Sequence, residues 1–279
     1  MTEQGYQTIK IENEDGIAWL IMNRPEKRNA MNPQMHYEMD RALPELEADP
    51  AVKAVVLTGA GEAYCAGQDL KEYFRALDDD PAERRRAGEA SERWRNRRLA
   101  NFNKPTIAMV NGYCIGGAFT QTLCCDFALA AEDATFCLSE VNWGILPGGL
   151  VSKKLVEAVR FRDAMLYACT GRAFDGKRAA QIGLVNFAVP GDRLRAETIA
   201  LAVELIGKNP EVLRATKQAL RAVRTMSDDQ AFDYLAAKSA EIKLRDKENA
   251  YHHGIKQFID DKSYKPTFSA YDREKASRD

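Results

Sequence analysis

Residues 104–149 read KPTIAMVNGYCIGGAFTQTLCCDFALAAEDATFCLSEVNWGILPGG, and this stretch decides the predicted fold. The apolar run 107–110 stops at Asn111-Gly112, which indicates a buried strand that ends in a turn. Gly116-Gly117 then precedes residues 118–125, a run without Gly or Pro that can begin a helix. A strand, a glycine turn and a helix start let backbone N–H groups approach a ligand and favour negative charge there.

One acidic residue, Glu140, stands near the end of the same stretch. Its neighbours Val141, Trp143 and Ile145 are apolar. A carboxylate in apolar surroundings is costly to ionise, so its pKa is predicted to rise. An anion-binding turn and one tunable acid are a minimal site for chemistry on a carbonyl group. Tight packing for the glycines, and a solvated loop position or an ion pair for the acid, are equally consistent with the pattern alone.

The composition excludes several classes of protein. Of 279 residues, 45% are hydrophobic, and Lys+Arg 40 against Asp+Glu 41 leave a net charge of -1. The hydrophobic content predicts enough core for one domain with an appended helical part. The balanced charge predicts no electrostatic attraction to nucleic acid or to an anionic membrane. Apolar runs are too short to span a bilayer, and residues 1–10 lack the apolar core of a signal peptide. We therefore expect a cytoplasmic protein that binds neither nucleic acid nor membrane.

The cysteines and histidines indicate neither a metal site nor a familiar nucleophile. The 6 cysteines form no CxxC pair and mostly occupy apolar segments, which predicts free thiols in a reducing compartment. The 3 histidines, His36, His252 and His253, have no spacing to cysteines that suits a metal. A GxSxG nucleophile elbow is also absent from the sequence.

A second glycine turn occurs earlier in the chain. The predicted strand 52–58 is followed by Gly59-Ala60-Gly61 and then by YCAGQDLK at 64–71. Repetition of a strand, turn and helix predicts right-handed βα crossovers. Two such turns can each offer one backbone N–H to a single oxygen, which is how an oxyanion hole is assembled.

The remaining segments predict a hairpin, further βα units and a helical tail. The predicted elements are a β-hairpin over 8–12 and 17–22, helices over 31–46 and 151–167, a strand over 184–189 and helices from 194 to 261. The simplest division is a core over 1–193 and a helical region over 194–279. This helical region is predicted to pack on a partner subunit or on the core.

Residues 78–99, DDDPAERRRAGEASERWRNRRL, are dominated by charge. Asp80 before Pro81 predicts a helix start, and the rest can be an exposed or a lid-like helix. The low apolar content predicts mobility. Arg84-Arg85-Arg86 leaves an RNA or phosphate patch as an alternative. The interleaved acids favour a solvated helix face instead.

Five blocks of this sequence resemble the crotonase (enoyl-CoA hydratase/isomerase) superfamily, in order and at its spacing. They are NRPEKRNAM (23–31), LTGAGEAYCAGQDLKEYF (57–74), KPTIAMVNGYCIGGAF (104–119), CDFALAAEDATFCLSEVNWGILPGG (125–149) and TGRAFDGKRAAQIGLVN (170–186). Within the superfamily the chain is most similar to the hydroxycinnamoyl-CoA (feruloyl-CoA) hydratase-lyases, through LKEYF, LSEVNWGI and FIDDKSYKP. The resemblance implies an α/β fold, a crotonase-like spiral of ββα units with a helical C-terminal extension. It also implies a homotrimer or a dimer of trimers.

The resemblance implies roles for individual residues. It places the oxyanion hole on the backbone N–H groups of Gln68 and Gly117, and it makes Glu140 the acid and base. Simple hydratases of the superfamily use a second glutamate, which falls here at Thr120. Hydratase-lyases keep one glutamate and a small hydroxyl residue there, so Thr120 points to that branch. Tyr73 matches a tyrosine that contacts the phenol of the substrate.

Further binding residues follow from the same resemblance. The predicted acyl-group contacts are Gly116, Ser139, Thr120, Gln121, Trp143 and Tyr73. The predicted coenzyme A contacts are Lys27, Ala66, Gly67, Asp69, Leu70 and Lys71, and Phe258 and Lys262 can reach the coenzyme A of a neighbour. One departure is Ala236, where the branch has a second phenol-binding tyrosine two positions after the one at Tyr234. This predicts a wider ring pocket, or another tyrosine in its place.

The expected reaction is hydration of a hydroxycinnamoyl-CoA double bond followed by retro-aldol cleavage. The products are an aromatic aldehyde of the vanillin type and acetyl-CoA. Coenzyme A is part of the substrate, and no other cofactor or metal is expected. Alternatives are another crotonase reaction on an acyl-CoA, such as hydration alone, isomerisation or dehalogenation. An RNA-binding or scaffold protein on the same fold is a remote alternative.

Overall fold

The structure is a computed structural model that describes residues 5–267 and 269–276. The chain forms two compact units, Met1–Ala202 and Val203–Asp279. The predicted boundary between 193 and 194, and the assembly role of residues 194–279, stay predictions. No described helix combines the length and apolar character that crossing a membrane requires.

The first unit contains most of the strands and helices. Its strands are β1 (Ile9–Glu14), β2 (Ile17–Met22), β3 (Ala54–Gly59), β4 (Ala63–Cys65), β5 (Thr106–Val110), β6 (Tyr113–Ile115), β7 (Phe127–Ala131), β8 (Thr135–Cys137), β9 (Phe174–Asp175) and β10 (Phe187–Val189). Its helices are α1 (Pro33–Ala48), α2 (Pro81–Glu92), α3 (Ala118–Cys124), α4 (Val151–Ala158), α5 (Phe161–Thr170) and α6 (Gly176–Gln181), and α7 (Leu194–Ile206) begins in it.

Two sheets organise this unit. The larger has six strands in the order β1-β2-β3-β5-β7-β10, and the smaller has four in the order β4-β6-β8-β9. The hairpin β1–β2 and the pair β8–β9 are antiparallel, and the other pairs are parallel. Every residue of β3, AVVLTG, is buried, as expected for a parallel strand that is covered on both faces.

Successive segments repeat one ββα unit. A strand of the large sheet is followed by a short strand of the small sheet and then by a helix. The sets β3-β4-α2, β5-β6-α3 and β7-β8-α4 follow this rule. The prediction of a mixed α/β fold with parallel sheets and repeated ββα units is therefore confirmed. The short strands matter for function, because the two glycine turns follow β4 and β6.

The predicted helix over 151–167 is two helices. The helix α4 ends at Ala158 and α5 begins at Phe161, with Val159 and Arg160 in extended conformation between them. The bend lets Leu155 of α4 and Ala164 of α5 both become buried. The apolar periodicity runs on through the bend, so the sequence pattern did not reveal it. The predicted strand over 184–189 is shorter in the structure, where only the residues of β10, Phe187–Val189, form a strand.

The second unit is helical, as predicted. Its helices are α8 (Pro210–Ala222), α9 (Asp228–Arg245), α10 (Ala250–Ile259) and α11 (Arg273–Ala276). The Asn209 side chain caps α8 by accepting from the Glu211 and Val212 N–H groups, and it donates to Asp246 at 2.9 Å. Large apolar side chains nevertheless remain exposed along these helices. They are Leu220, Phe232, Leu235, Leu244, Tyr251, Ile255, Phe258 and Ile259.

Candidate active site

A cavity of about 440 Å³ opens where the two glycine turns meet. It lies wholly within the first unit, between the turns after β4 and β6 and the charged segment 78–99. Eleven of the predicted site residues line it. They are Ala66, Gly67, Gln68, Leu70, Tyr73, Gly116, Gly117, Thr120, Ser139, Glu140 and Trp143. These are 11 of the 22 residues that line the cavity, and their roles stay predictions.

Close approach of the two turns depends on Gly67. Its φ is +88°, a left-handed value that side chains rarely adopt. A Cβ atom there would lie 2.8 Å from the Ile115 carbonyl oxygen and 3.5 Å from the Gly117 nitrogen. Because the first of these distances is a clash with backbone, only glycine lets the turn of Gln68 approach the turn of Gly117.

The backbone N–H groups of Gln68 and Gly117 donate to no acceptor among the described residues. The adjacent N–H groups are used, since Asp69 donates to the Met31 carbonyl at 2.9 Å and Gly116 to the Cys137 carbonyl at 2.8 Å. Backbone N–H groups in folded proteins are normally paired with another protein group or with water. Two open donors on neighbouring turns at one cavity form a site for an oxygen that gains negative charge.

The Glu140 carboxyl group lies over the turn of Gly116. It belongs to the 3-10 turn Ser139–Trp143, and a Cβ atom at Gly116 would lie 3.1 Å from Glu140 Oε1. The Oε2 atom is buried and has no hydrogen-bond partner. Burial raises the pKa of Glu140 above its ordinary value. Such a carboxyl group can exchange protons with a substrate that lies beside the open amides.

The second cavity group without a partner is the Thr120 hydroxyl. Thr120 is fully buried in α3, and its Oγ1 atom has no hydrogen-bond partner. A hydroxyl group of this kind can bind a substrate oxygen but cannot serve as an acid or base near neutral pH. Besides Glu140, the one carboxylate lining the cavity in the described chain is Glu92, which pairs with Arg97 at 2.9 Å. Proton transfer in the cavity is thus left to Glu140.

A buried hydrogen-bond chain orients the Gln68 side chain. The indole N–H of Trp94 donates to His36 Nδ1 at 2.9 Å, so Nδ1 must be the acceptor. The Nε2–H of His36 therefore donates to Gln68 Oε1, at 2.8 Å. Burial lowers the pKa of His36 to about 3, which keeps the imidazole neutral and this tautomer in place. Both rings are completely buried. This hydrogen-bond chain therefore fixes the position of Gln68, whose backbone N–H faces the cavity.

The charged segment 78–99 differs from its prediction. Five of its outer arginines pair with acids, as expected for a solvated helix face. The pairs are Arg84–Asp78, Arg86–Glu83, Arg93–Asp40, Arg97–Glu92 and Arg98–Asp40. Its inner face is buried and carries Trp94 and Arg95, so the segment predicted to be an exposed or lid-like helix is exposed only on its outer face.

Sequence reasoning missed His36, Trp94 and Arg95 as parts of this site. A signal was present, because Ala87, Ala90, Ser91 and Trp94 recur at helical spacing and form one small-residue face that ends in an aromatic ring. The surrounding charges obscured that face. The burial of Arg95 could not be read from the pattern, since an arginine in a charged run is normally exposed.

Four predicted site residues lie outside the cavity lining. Gln121 is buried, and its Nε2 contacts the sulfur atoms of Met22 and Met31 at 3.9 and 3.7 Å, so its side chain belongs to the core. Asp69 pairs with Arg24 at 2.9 Å and caps the turn Leu70–Phe74 through the Lys71 and Glu72 N–H groups. Lys27 and Lys71 are exposed on the surface.

The remaining predicted contacts are in the second unit. Ala236 and Phe258 are exposed, Tyr234 is half-buried on α9, and Lys262 has a φ of +51°.

No group of three or more metal-ligating side chains occurs within residues 5–267 and 269–276. The first unit thus supplies the open amides, the acid and the hydroxyl group by itself.

The fold and this site define a class of protein. The chain belongs to the enoyl-CoA hydratase/isomerase family, whose model matches residues 12–269. It is 50% identical over 273 residues to the hydroxycinnamoyl-CoA hydratase-lyase of Pseudomonas fluorescens, covering 97% of this chain and 99% of that protein. It is 36% identical to a putative enoyl-CoA hydratase of Thermus thermophilus, over 81% of this chain and 89% of that one. The predicted family is confirmed.

A solved structure supports the same assignment. The enoyl-CoA hydratase of Bacillus anthracis superposes with a TM-score of 0.83 at 26% sequence identity, covering 91% of this chain and 97% of that one. The predicted crotonase-like fold is therefore confirmed.

Proposed function

We propose that this chain is a hydroxycinnamoyl-CoA hydratase-lyase. It adds water to the double bond of an aromatic enoyl-CoA and then cleaves the product to an aromatic aldehyde and acetyl-CoA. The observation that carries this proposal is the pairing of a single desolvated acid, Glu140, with a hydroxyl group at Thr120. The 50% identity to the Pseudomonas fluorescens hydratase-lyase over nearly the whole chain supports it.

Hydration uses the open amides and the acid together. The thioester oxygen accepts hydrogen bonds from the Gln68 and Gly117 N–H groups, which withdraw electrons from the double bond. The Glu140 carboxylate takes a proton from water as that water attacks the β-carbon. The electron pair of the double bond moves onto the thioester, and the resulting enolate oxygen is held between the two amides. Glu140 then delivers its proton to the α-carbon.

Cleavage uses the same groups, with Glu140 first acting as a base on the β-hydroxyl group. The Glu140 carboxylate removes the proton of the β-hydroxyl group, the oxygen forms the aldehyde carbonyl, and the bond between the α- and β-carbons breaks. Its electron pair forms the enolate of acetyl-CoA, again held by the amides of Gln68 and Gly117. Glu140 protonates that enolate and returns to the carboxylate form. No redox cofactor is required by this balance.

The identity of the products tests the proposal. We expect incubation of the protein with feruloyl-CoA to release vanillin and acetyl-CoA in equal amounts, measured by chromatography with mass detection. Coumaroyl-CoA and caffeoyl-CoA should give their own aldehydes, whereas crotonyl-CoA serves as a substrate for hydration alone. Accumulation of the β-hydroxy thioester without aldehyde would assign a simple hydratase and reject the lyase.

The pH dependence of kcat/KM is expected to report the raised pKa of Glu140. The free enzyme needs the carboxylate to activate water, so kcat/KM should rise about tenfold per pH unit at low pH and level off above the pKa. Because burial raises that pKa, the midpoint should lie above 4.5. His36, with a pKa of about 3, titrates at lower pH than the rise in kcat/KM that is assigned to Glu140. A midpoint at or below 4.5 in the profile with feruloyl-CoA would contradict the role of burial.

We also propose that the protein is a homotrimer or a dimer of trimers in the cytoplasm and needs no cofactor besides the coenzyme A of its substrate. A homotrimer or a dimer of trimers accounts for the large apolar side chains exposed on α8, α9 and α10, because a monomer rarely leaves so many exposed. Six free thiols suit the cytoplasm. The substrate's own coenzyme A is the only cofactor in this scheme. A monomeric mass in sedimentation equilibrium at micromolar concentration would contradict the assembly.

A further inference from the structure

Arg95 is a buried cation that lies against the turn of Gly117. It is 5% exposed and lines the cavity. Its Nη1 atom donates to the Gly117 carbonyl oxygen at 3.2 Å, and a Cβ atom at Gly117 would lie 3.7 Å from the same nitrogen. That Cβ atom would also lie 3.6 Å from Gln68 Cγ. The guanidinium group and the Gln68 side chain therefore flank one residue, Gly117, whose amide N–H is open.

Two contacts to Ser91 hold the guanidinium group in this position. Nε donates to the Ser91 carbonyl oxygen at 3.1 Å, and Nη2 donates to the Ser91 hydroxyl group. Ser91 is itself buried, so both ends of these contacts are fixed by packing. A guanidinium group carries more N–H donors than its contacts to Ser91 and Gly117 use. Each terminal nitrogen therefore keeps one N–H group without an acceptor among the described residues.

The positive charge of Arg95 has no carboxylate partner among the described residues. The neighbouring arginines Arg93 and Arg97 both pair with acids, at 3.0 and 2.9 Å. The Trp94 ring lies 5.7 Å from Arg95 Cζ, and the face of a ring replaces only part of a counter-charge. Burial of an unpaired charge is costly. A neutral side chain could donate to the same oxygens at lower cost, so the charge itself needs an explanation.

We propose that the charge of Arg95 stabilises the enolate that forms between the Gln68 and Gly117 amides. The inference rests on the proposed function, in which the thioester oxygen is neutral in the substrate and negative in the enolate. An opposite charge beside Gly117 favours the enolate over the neutral thioester. Because the guanidinium group is buried and already in place, this attraction is little weakened by water. The enolate is thus the counter-charge that Arg95 lacks in the free protein.

The charge of Arg95 and its hydrogen bond to Gly117 have separate roles. The hydrogen bond holds the Gly117 turn, and a neutral donor can make it too. The charge acts on the enolate, and a guanidinium group retains it because arginine does not lose its proton in proteins. Arg95→Gln keeps a donor and removes the charge, whereas Arg95→Lys keeps the charge. These two variants therefore distinguish electrostatic stabilisation from positioning of the turn.

A charged and a neutral analogue of the same shape test for this charge without turnover. The probes are S-carboxymethyl-CoA and S-carbamoylmethyl-CoA, which place a planar carboxylate or amide group one bond beyond the thioester position. Calorimetry gives their dissociation constants in the Glu140→Gln background, where residue 140 is neutral like the protonated acid that faces the enolate. We expect the carboxylate to bind about ten- to a hundredfold more tightly than the amide. Adding Arg95→Gln should lower that preference about tenfold or more, and Arg95→Lys should retain part of it.

Arg97→Gln is the matched control, because it removes the same charge from an exposed position two residues away. It should leave the preference for the carboxylate unchanged. If Arg95→Gln weakened binding of both analogues equally, the role of Arg95 would be structural and the proposal would be overturned. Equal binding of the two analogues with Arg95 intact would overturn it as well, even if the Arg95 variants do not fold.

Turnover provides a second readout. With feruloyl-CoA, we expect Arg95→Gln to lower kcat about ten- to a hundredfold while KM stays near the wild-type value, because the charge acts on the enolate and not on the neutral substrate. A rise in KM with an unchanged kcat would contradict the proposal.

The inference and the proposed function fail separately. If wild type releases aldehyde from feruloyl-CoA but the preference for the carboxylate does not depend on Arg95, only the role of Arg95 is rejected. If no aldehyde is formed and the preference does depend on Arg95, the lyase reaction is rejected. Arg95 then serves another reaction of this site that passes through a thioester enolate.

Discussion

Glu140→Gln is expected to lower kcat with feruloyl-CoA by about 10²–10⁴, the contribution of a well-placed general acid and base. Both hydration and cleavage use this carboxyl group, and among the described residues that line the cavity no other unpaired acid can replace it. The amide side chain is nearly the same size, so the dissociation constant of a saturated acyl-CoA should change little. Stopped assays of aldehyde release and calorimetry of the analogue separate these two effects.

Glu132→Gln is the control for the loss of one negative charge. Glu132 lies on the surface of the first unit and pairs with Lys177 at 2.9 Å, away from the cavity lining. Its kcat should equal that of wild type within about twofold. If Glu140→Gln retained activity within about tenfold of wild type, Glu140 could not be the proton carrier.

Gly67→Ala is expected to have the second largest effect. A Cβ atom at this position meets the Ile115 carbonyl oxygen at 2.8 Å, so the turn must move and carry the Gln68 amide away from the Gly117 amide. Loss of one oxyanion donor typically lowers kcat by about 10²–10³. The melting temperature should also fall, because the left-handed backbone of residue 67 strains an alanine. Steady-state kinetics and thermal unfolding measure the two consequences.

Gly183→Ala separates backbone strain from loss of the oxyanion donor. Gly183 has a φ of +82°, close to that of Gly67, but a Cβ atom there would meet only the Ala158 carbonyl at an ordinary 3.5 Å. Its melting temperature should fall while kcat stays near the wild-type value. If Gly67→Ala behaved like Gly183→Ala, with a lower melting temperature and normal kcat, the Gln68 amide would not stabilise the enolate.

The parts of the site that the sequence predicted are local in the chain. Gly67 and Gly116 each follow a short strand, and their turn geometry is specified by the glycines themselves and by neighbouring residues. Glu140 is recognisable because its surroundings in sequence are also its surroundings in space. Such features can be read from spacing, and the family resemblance places them at one cavity.

The parts that the sequence did not predict depend on packing between distant segments. His36 and Trp94 are 58 residues apart, and only the packing of α1 against the charged segment brings their rings together. Arg95 is buried because its side chain extends towards Gly117, 22 positions further along the chain. Gln121 illustrates the opposite case, since it lies on the helix that lines the cavity but its side chain faces the core.

The most direct measurement is a crystal structure of Glu140→Gln frozen soon after soaking with feruloyl-CoA, which the variant is expected to convert about 10²–10⁴ times more slowly than wild type. We expect the thioester oxygen to lie about 2.7–3.1 Å from the Gln68 and Gly117 nitrogens, with the side chain of residue 140 facing the α- and β-carbons. A thioester oxygen hydrogen-bonded elsewhere, or a double bond out of reach of residue 140, would contradict this expectation.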